Sequence, residues 1–170
     1  VYAASVGNWI MRHEPEIWAR TAKYVMLPTY LNYKLTGNLI DSASNQIGHI
    51  PFDYKNRRWM KPGSLTRCFC DVPNEKLCDL VPSGTVIGTI TDEVCALTGI
   101  PAGLPLISTG SDKGCETLGL AVVDSDKASI SLGTTATIQF STTEYVEPQQ
   151  FLPAYPGVLN DHYNPETVSY

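Results

Sequence analysis

The chemistry legible in this chain rests on one carboxylate and one small polar turn. Asp112 follows the run Pro105-Leu106-Ile107-Ser108-Thr109-Gly110-Ser111 and precedes Lys113-Gly114. A carboxylate held at the end of a strand can take a proton from a hydroxyl group. About twenty residues on comes Ser131-Leu132-Gly133-Thr134-Thr135, and a Gly/Thr turn of this kind can hold a phosphate through backbone N–H groups and a hydroxyl. Together the two point to phosphoryl transfer onto an alcohol. Asp112 also stands where a helix begins, so capping that helix is the competing reading of the same residue. For Gly133-Thr134 the competitor is an ordinary hairpin turn.

Both candidates need elements to present them. Leu104 to Thr109 reads as a buried strand, apolar and β-branched between turn signals, and residues 112 to 120 read as a helix. Ala128 to Leu132 and Thr135 to Ser141 read as two strands joined at Gly133-Thr134. Upstream, Glu14-Pro15-Glu16 suits a helix start. Pro28 breaks the apolar run that follows, which predicts two helices or one kinked helix, ended by Gly37 as a C-cap. Asp41 or Ser42 fits an N-cap after a short extended piece. Phe52 to Trp59 reads as a loop running into a helix. Val86, Ile87 and Ile90 form a short strand broken by Gly88, and Thr91 to Gly99 reads as a capped helix. The order is that of an α/β protein with mixed strand pairing. The last thirty or so residues, rich in Pro and Tyr, show no clear period.

Composition narrows the function classes. Of 170 residues, 43% are hydrophobic, which is enough for a real core, and the formal net charge is −5. A chain this acidic, with no Lys/Arg cluster, is not built for nucleic acid. Lys55, Arg57, Arg58 and Lys61 form the densest basic stretch and read as a solvated loop. No apolar run approaches the ~20 residues that span a bilayer. Five cysteines, an odd number in a chain too long to need staples, suit free thiols in a reducing cytoplasm. Cys68-x-Cys70 with Cys78 lacks a fourth ligand or a nearby His and makes a poor zinc site. His13, His49 and His162 form no Ser/His/Asp pattern, and Trp9, Trp18 and Trp59 read as packing residues. There is no initiator Met, and the reading is of a piece of a longer protein.

Several stretches, taken in order, resemble the FGGY carbohydrate kinases. Leu27-Pro28-Thr29-Tyr30-Leu31-Asn32-Tyr33-Lys34-Leu35-Thr36-Gly37 resembles that family's "LLPxYLxYxLTG" helix. Asp41-Ser42-Ala43-Ser44 resembles its "T-D-x-S-x-A" segment, and Asp53 with Trp59 its "F-D-x-x-x-x-x-W". Gly84, Gly88, Leu97-Thr98-Gly99 and Gly103 fit its glycine-spaced stretch. Gly110-Ser111-Asp112 is similar to "G-G-G-D-Q", and Ser131-Leu132-Gly133-Thr134-Thr135 to "S-L-G-T-S". Order and spacing hold from about Asn8-Trp9 to about Phe140.

The resemblance implies an actin-like, ribonuclease-H-like fold in two lobes, with ATP and sugar in the cleft between them. Residues 1–124 would be the C-terminal part of the first lobe and residues 125–170 the beginning of the second. Asp112 would be the catalytic base, touching the substrate hydroxyl and reaching Mg²⁺ through water. Gly133, Thr134 and Thr135 would bind the ATP phosphates. Lys113 stands where the family usually has Gln, and either pairs with an acidic sugar or lies at the surface. Asp41 either contacts substrate or caps. The expected partners are a sugar or polyol, with a homodimer left open, and no nucleic acid and no membrane. The family's opening phosphate loop and adenosine-binding glycines match nothing here, so the chain alone is expected to be inactive. Two alternatives stay open: another actin-fold ATPase, or a sugar-binding regulatory protein without turnover.

Overall fold

A computed structural model describes residues 2–48, 51–65, 67, 70–133, 136–147 and 153–169. Three helices come first, α1 (Tyr2–His13), α2 (Pro15–Arg20) and α3 (Leu27–Thr36). The sequence reading missed α1, whose apolar residues lack a clear start signal. Pro28 does not kink a helix. It sits in the first turn of α3, where its missing N–H costs nothing, and residues 21–26 are non-helical. Gly37 closes α3 in the left-handed region at φ 79°, as expected.

The chain then lays down β1 (Ile40–Ser42), β2 (Phe52–Asp53), β3 (Arg58–Trp59), β4 (Asp79–Val81), β5 (Val86–Thr89), α4 (Asp92–Thr98), β6 (Pro105–Ile107) and α5 (Asp112–Gly119). β1 pairs in parallel with β4, and β5 pairs antiparallel with β6 across a register shift between Val86 and Gly88. Thr91 caps α4 by accepting from the Val94 N–H, and Gly99 ends it at φ 78°. The strand before Asp112 is not buried: Ile107 is 44% exposed. Residues 52–59 form a hairpin rather than a loop entering a helix. The Asp53 carboxylate accepts from both the backbone N–H and the side-chain amide of Asn56, an Asx turn that reverses the chain before a helix can start.

Beyond α5 come β7 (Ala128–Leu132), β8 (Ala136–Phe140), β9 (Tyr155–Pro156), β10 (Tyr163–Asn164) and β11 (Glu166–Ser169). β7 and β8 form the expected hairpin, with Leu132 opposite Ala136. β11 adds to the other edge of β8, giving the order β11-β8-β7, although the tail carries no period that announces it. This sheet turns its polar side inward: Thr137 and Gln139 are buried, whereas Leu132 is 82% exposed. Thr117 of α5 explains the inversion. Its hydroxyl lies 2.8 Å from Gln139 Oε1 and 3.2 Å from Ser129 Oγ, so α5 meets the sheet through hydrogen bonds.

The apolar core is small. Cys70, Val72 and Leu77 are buried under Trp18, Tyr24 and Trp59, and the Trp59 indole N–H donates to the Cys78 carbonyl at 2.7 Å. Trp9 departs from the packing expectation: it is 52% exposed and stacks on His13. Among the described cysteines, Cys70 and Cys78 are buried and Cys95 is partly so, but Cys115 is exposed. Cys68 and His49 lie outside the described residues.

Asp41 ties α3 to β1. It is 3% exposed, and its carboxylate accepts from the Thr29 hydroxyl (2.6 Å), the Ser42 N–H (2.7 Å) and the Asn45 side-chain amide (3.1 and 3.2 Å). Neutral donors alone satisfy the buried charge. Asp41→Asn turns an amide N–H toward groups that are themselves donors. It is expected to cost about 1–3 kcal/mol of stability, read from urea unfolding midpoints.

Burial pushes the Cys78 thiol up to about 11, against an ordinary value of 9.0. The folded protein therefore holds a proton that the unfolded chain has begun to release. This contribution to stability is fully present below about pH 9 and is lost as pH rises to about 11. Cys78→Ala should flatten the stability-versus-pH curve in that window. At neutral pH, iodoacetamide should label Cys115 in the native protein and Cys70 and Cys78 only after unfolding.

Candidate active site

Asp112 is the first helical residue of α5, and the cap is its neighbour. Ser111 is extended at φ −62°, ψ 159°, and its hydroxyl accepts from the Gly114 N–H at 3.1 Å. The capping role that competed for Asp112 is thus filled by Ser111. The Asp112 side chain is exposed; its Oδ1 accepts from the Lys113 N–H at 2.8 Å, and no described residue bonds Oδ2.

The turn carrying Asp112 rests on a cluster of buried hydroxyls. Ser42, at the end of β1, caps the 3₁₀ turn Ala43–Asn45 by accepting from the Ser44 N–H at 3.0 Å. Its hydroxyl lies 2.9 Å from that of Ser83. Ser83 Oγ is 2.9 Å from Ser44 Oγ and 3.0 Å from the Thr109 carbonyl. Ser44 Oγ donates to the Gly157 carbonyl at 2.6 Å, and the Ser44 carbonyl accepts from the Ser111 N–H at 3.1 Å. Ser108 adds a bond to the Pro82 carbonyl at 2.9 Å. Sequence reasoning noticed Ser42 and Ser44 inside a motif and Ser83 inside a turn, but nothing in their spacing shows that they converge.

Gly110 is needed for close approach. A Cβ there would stand 2.7 Å from Val158 Cγ2 and 3.3 Å from Ser44 Cβ. Gly157 is similarly confined, since its Cβ would lie 3.0 Å from the His162 carbonyl. The segment around Gly157 is held from the side of β2 and β3. The Arg57 guanidinium donates to the Asn160 and His162 carbonyls and lies 4.3 Å from the centre of the Tyr163 ring.

Lys113 is committed elsewhere. Its ammonium donates to Glu116 at 2.8 Å and to the Ser131 hydroxyl at 3.1 Å, and the Glu116 carboxylate raises its pKa. Because Ser131 is two residues before Gly133, this contact makes neighbours of the two ends that carry the candidate groups: the start of α5 and the end of β7. Gly133 is exposed after β7; Thr134 and Thr135 lie outside the described residues. A groove of about 400 Å³ opens between α5 and β7–β8, lined by Lys113, Glu116, Ser129 and Gln139 among others, but by neither Asp112 nor Gly133. Asp41 is not in this neighbourhood of free groups: all its acceptor capacity is spent on Thr29, Ser42 and Asn45.

Among the described residues no three His, Cys, Asp or Glu side chains converge as a metal cage. Asp112, with one carboxylate oxygen unbonded by any described residue, fits the way Mg²⁺ binds beside phosphates, with few protein ligands and several waters. No helix among the described residues is long and apolar enough to cross a membrane.

Solved structures share this architecture. A xylulose kinase from Lactobacillus acidophilus superposes with a TM-score of 0.82 at 21% identity, over 97% of this chain and 33% of that one. A gluconate kinase from the same organism gives 0.80 at 22% identity, over 94% and 32%. They identify the fold as the actin-like, ribonuclease-H-like one of the sugar kinases. In sequence, the chain is 41% identical over 105 residues to the sugar kinase YgcE of Escherichia coli K12, covering 62% of this chain and 21% of that protein. It is 28% identical over 136 residues to the xylulose kinase of the same organism, covering 80% and 27%. The chain therefore spans roughly a quarter of the length of these relatives. Residues 1–119 match the N-terminal domain that defines one group of proteins, and on that match the chain belongs to the FGGY family of carbohydrate kinases.

Proposed function

We propose that the full-length protein transfers the γ-phosphate of ATP to a hydroxyl of a sugar or polyol, with Asp112 as the base. The observation that carries this reading is the division of labour at the start of α5: Ser111 caps the helix, and Asp112 keeps one carboxylate oxygen open at an exposed N-terminus. In the proposed step Asp112 accepts the proton of the substrate hydroxyl as its oxygen attacks the γ-phosphorus, and ADP leaves. The backbone at Gly133, with the hydroxyls of Thr134 and Thr135, holds the phosphates, a role that favours a residue without Cβ at the closest approach. Mg²⁺, reached by Asp112 through water, would neutralise charge on the phosphates.

In the same reading residues 1–124 end the first lobe and residues 125–170 begin the second. The Lys113–Ser131 contact then spans the two beside the cleft. Because the Lys113 ammonium already has an acidic partner, the substrate is a neutral sugar or polyol in preference to a sugar acid. Relatives at 25–29% identity are named xylulose kinases, which makes a ketopentose the first compound to try. The protein is expected in the cytoplasm, where ATP and free thiols coexist.

The test is sugar-dependent ADP release by the full-length protein with ATP and Mg²⁺ across a panel of ketopentoses, gluconate and polyols. Turnover with a neutral sugar is expected. Asp112→Asn should lower it by about 10²–10⁴-fold, the range of a lost general base. The 170-residue chain by itself should show none. Sugar binding in calorimetry without any ADP release would instead favour a regulatory sugar-binding protein.

A further inference from the structure

The groups that fix the Asp112 turn include one side chain at the centre of three separate segments. Ser44 is 5% exposed. Its carbonyl holds the Ser111 N–H immediately before Asp112. Its hydroxyl holds the Gly157 carbonyl and meets Ser83, whose own hydroxyl also reaches the Thr109 carbonyl. Its Cβ, together with Val158, forms the wall against which Gly110 runs without a side chain. The local 3₁₀ turn makes no use of the Ser44 hydroxyl, because Ser42 already caps it. That hydroxyl serves only the convergence of the three segments.

We propose that Ser44 is a positioning residue for Asp112, acting through the Ser44–Ser83–Gly157 hydroxyl junction. The proposal rests on Asp112 being the base. The hydroxyls form one connected set: Ser42 and Ser83 share a hydrogen bond, the Ser83 hydroxyl also reaches the Thr109 carbonyl and Ser44 Oγ, and Ser44 donates to the Gly157 carbonyl. Deleting the Ser44 oxygen strands a buried carbonyl at Gly157, next to the Val158 wall, and takes an acceptor from Ser83, which also holds the Thr109 carbonyl, so the surroundings of the 109–112 turn loosen while its bond to the Ser44 carbonyl remains. Phosphoryl transfer tolerates such movement poorly, because a displacement of about 1 Å can cost about a hundredfold in rate.

The experiment is a double-mutant cycle in the full-length protein with ATP, Mg²⁺ and its best sugar, followed by transfer of labelled γ-phosphate so that slow variants remain measurable. Ser44→Ala should lower kcat by about tenfold or more while the KM for ATP changes by less than about twofold. In an Asp112→Asn background the same substitution should cause little further loss, since a residue that acts through the base has nothing left to position. Ser83→Ala provides a second entry to the junction, with a smaller loss expected on the same pattern, and it decides the matter if Ser44→Ala does not fold. Two results would overturn the proposal: Ser44→Ala or Ser83→Ala with unchanged kcat, or losses that multiply in full on top of Asp112→Asn. Near-normal turnover by Asp112→Asn itself would remove the base assignment first, and is distinguished by that single variant.

Discussion

A buried junction of serine hydroxyls is the constraint from which the rest of this structure follows. Ser42, Ser44 and Ser83 come from the end of β1, the 3₁₀ turn after it and the loop after β4, and the Ser83 hydroxyl oxygen lies 2.9 Å from those of both Ser42 and Ser44. Hydroxyls in the interior are stable only when each finds a partner. Here the partners are backbone groups of Thr109 and Gly157, plus the Ser111 N–H on the Ser44 carbonyl. Four distant stretches of chain must therefore meet before all of them are satisfied. The apolar cluster of Cys70, Val72 and Leu77 lies under Trp18, Tyr24 and Trp59, residues the serine junction does not use, so hydrophobic burial stabilises the chain while the polar junction sets the turn.

α5 carries that constraint outward. Its N-terminus is capped by Ser111 and fixed to Ser44, and its flank is fixed to the sheet by Thr117 with Gln139 and Ser129 and by Lys113 with Ser131. This accounts for the inverted sheet, whose polar residues face the helix. Hydrogen bonds specify one register of helix on sheet more narrowly than apolar packing does, because a slip of one position leaves buried donors and acceptors unpaired. The consequence is that the open carboxylate and the end of β7 are related through a single short helix and the side-chain bonds of Thr117 and Lys113.

Much of this was legible in the sequence, for identifiable reasons. Gly37 and Gly99 as left-handed stops, Thr91 and Ser42 as caps and the β7–β8 hairpin all follow from local chemistry that needs no tertiary context. The errors arose where non-local partners decide. Residues 52–59 became a hairpin because Asp53 captures Asn56, and β11 exists because β8 offers an edge. The position of Asp112 was readable, but the sharing of duties with Ser111 was not, since either residue type suits a cap. The serine junction left no periodic trace at all, because its members are joined by contacts 39–41 residues apart and more.

The bond from Ser44 to Gly157 spans 113 positions of the chain. Closing so long a loop carries an entropic charge that local elements such as α3 or the β7–β8 hairpin escape. During vectorial synthesis those elements can form as they emerge. The bend that presents Asp112 cannot be locked until the ribosome has released the polypeptide well past Val158. Completion of the hydroxyl junction is thus tied to the arrival of residues some forty-five positions after Asp112, and a nascent chain halted before them would hold its local elements with that junction still open.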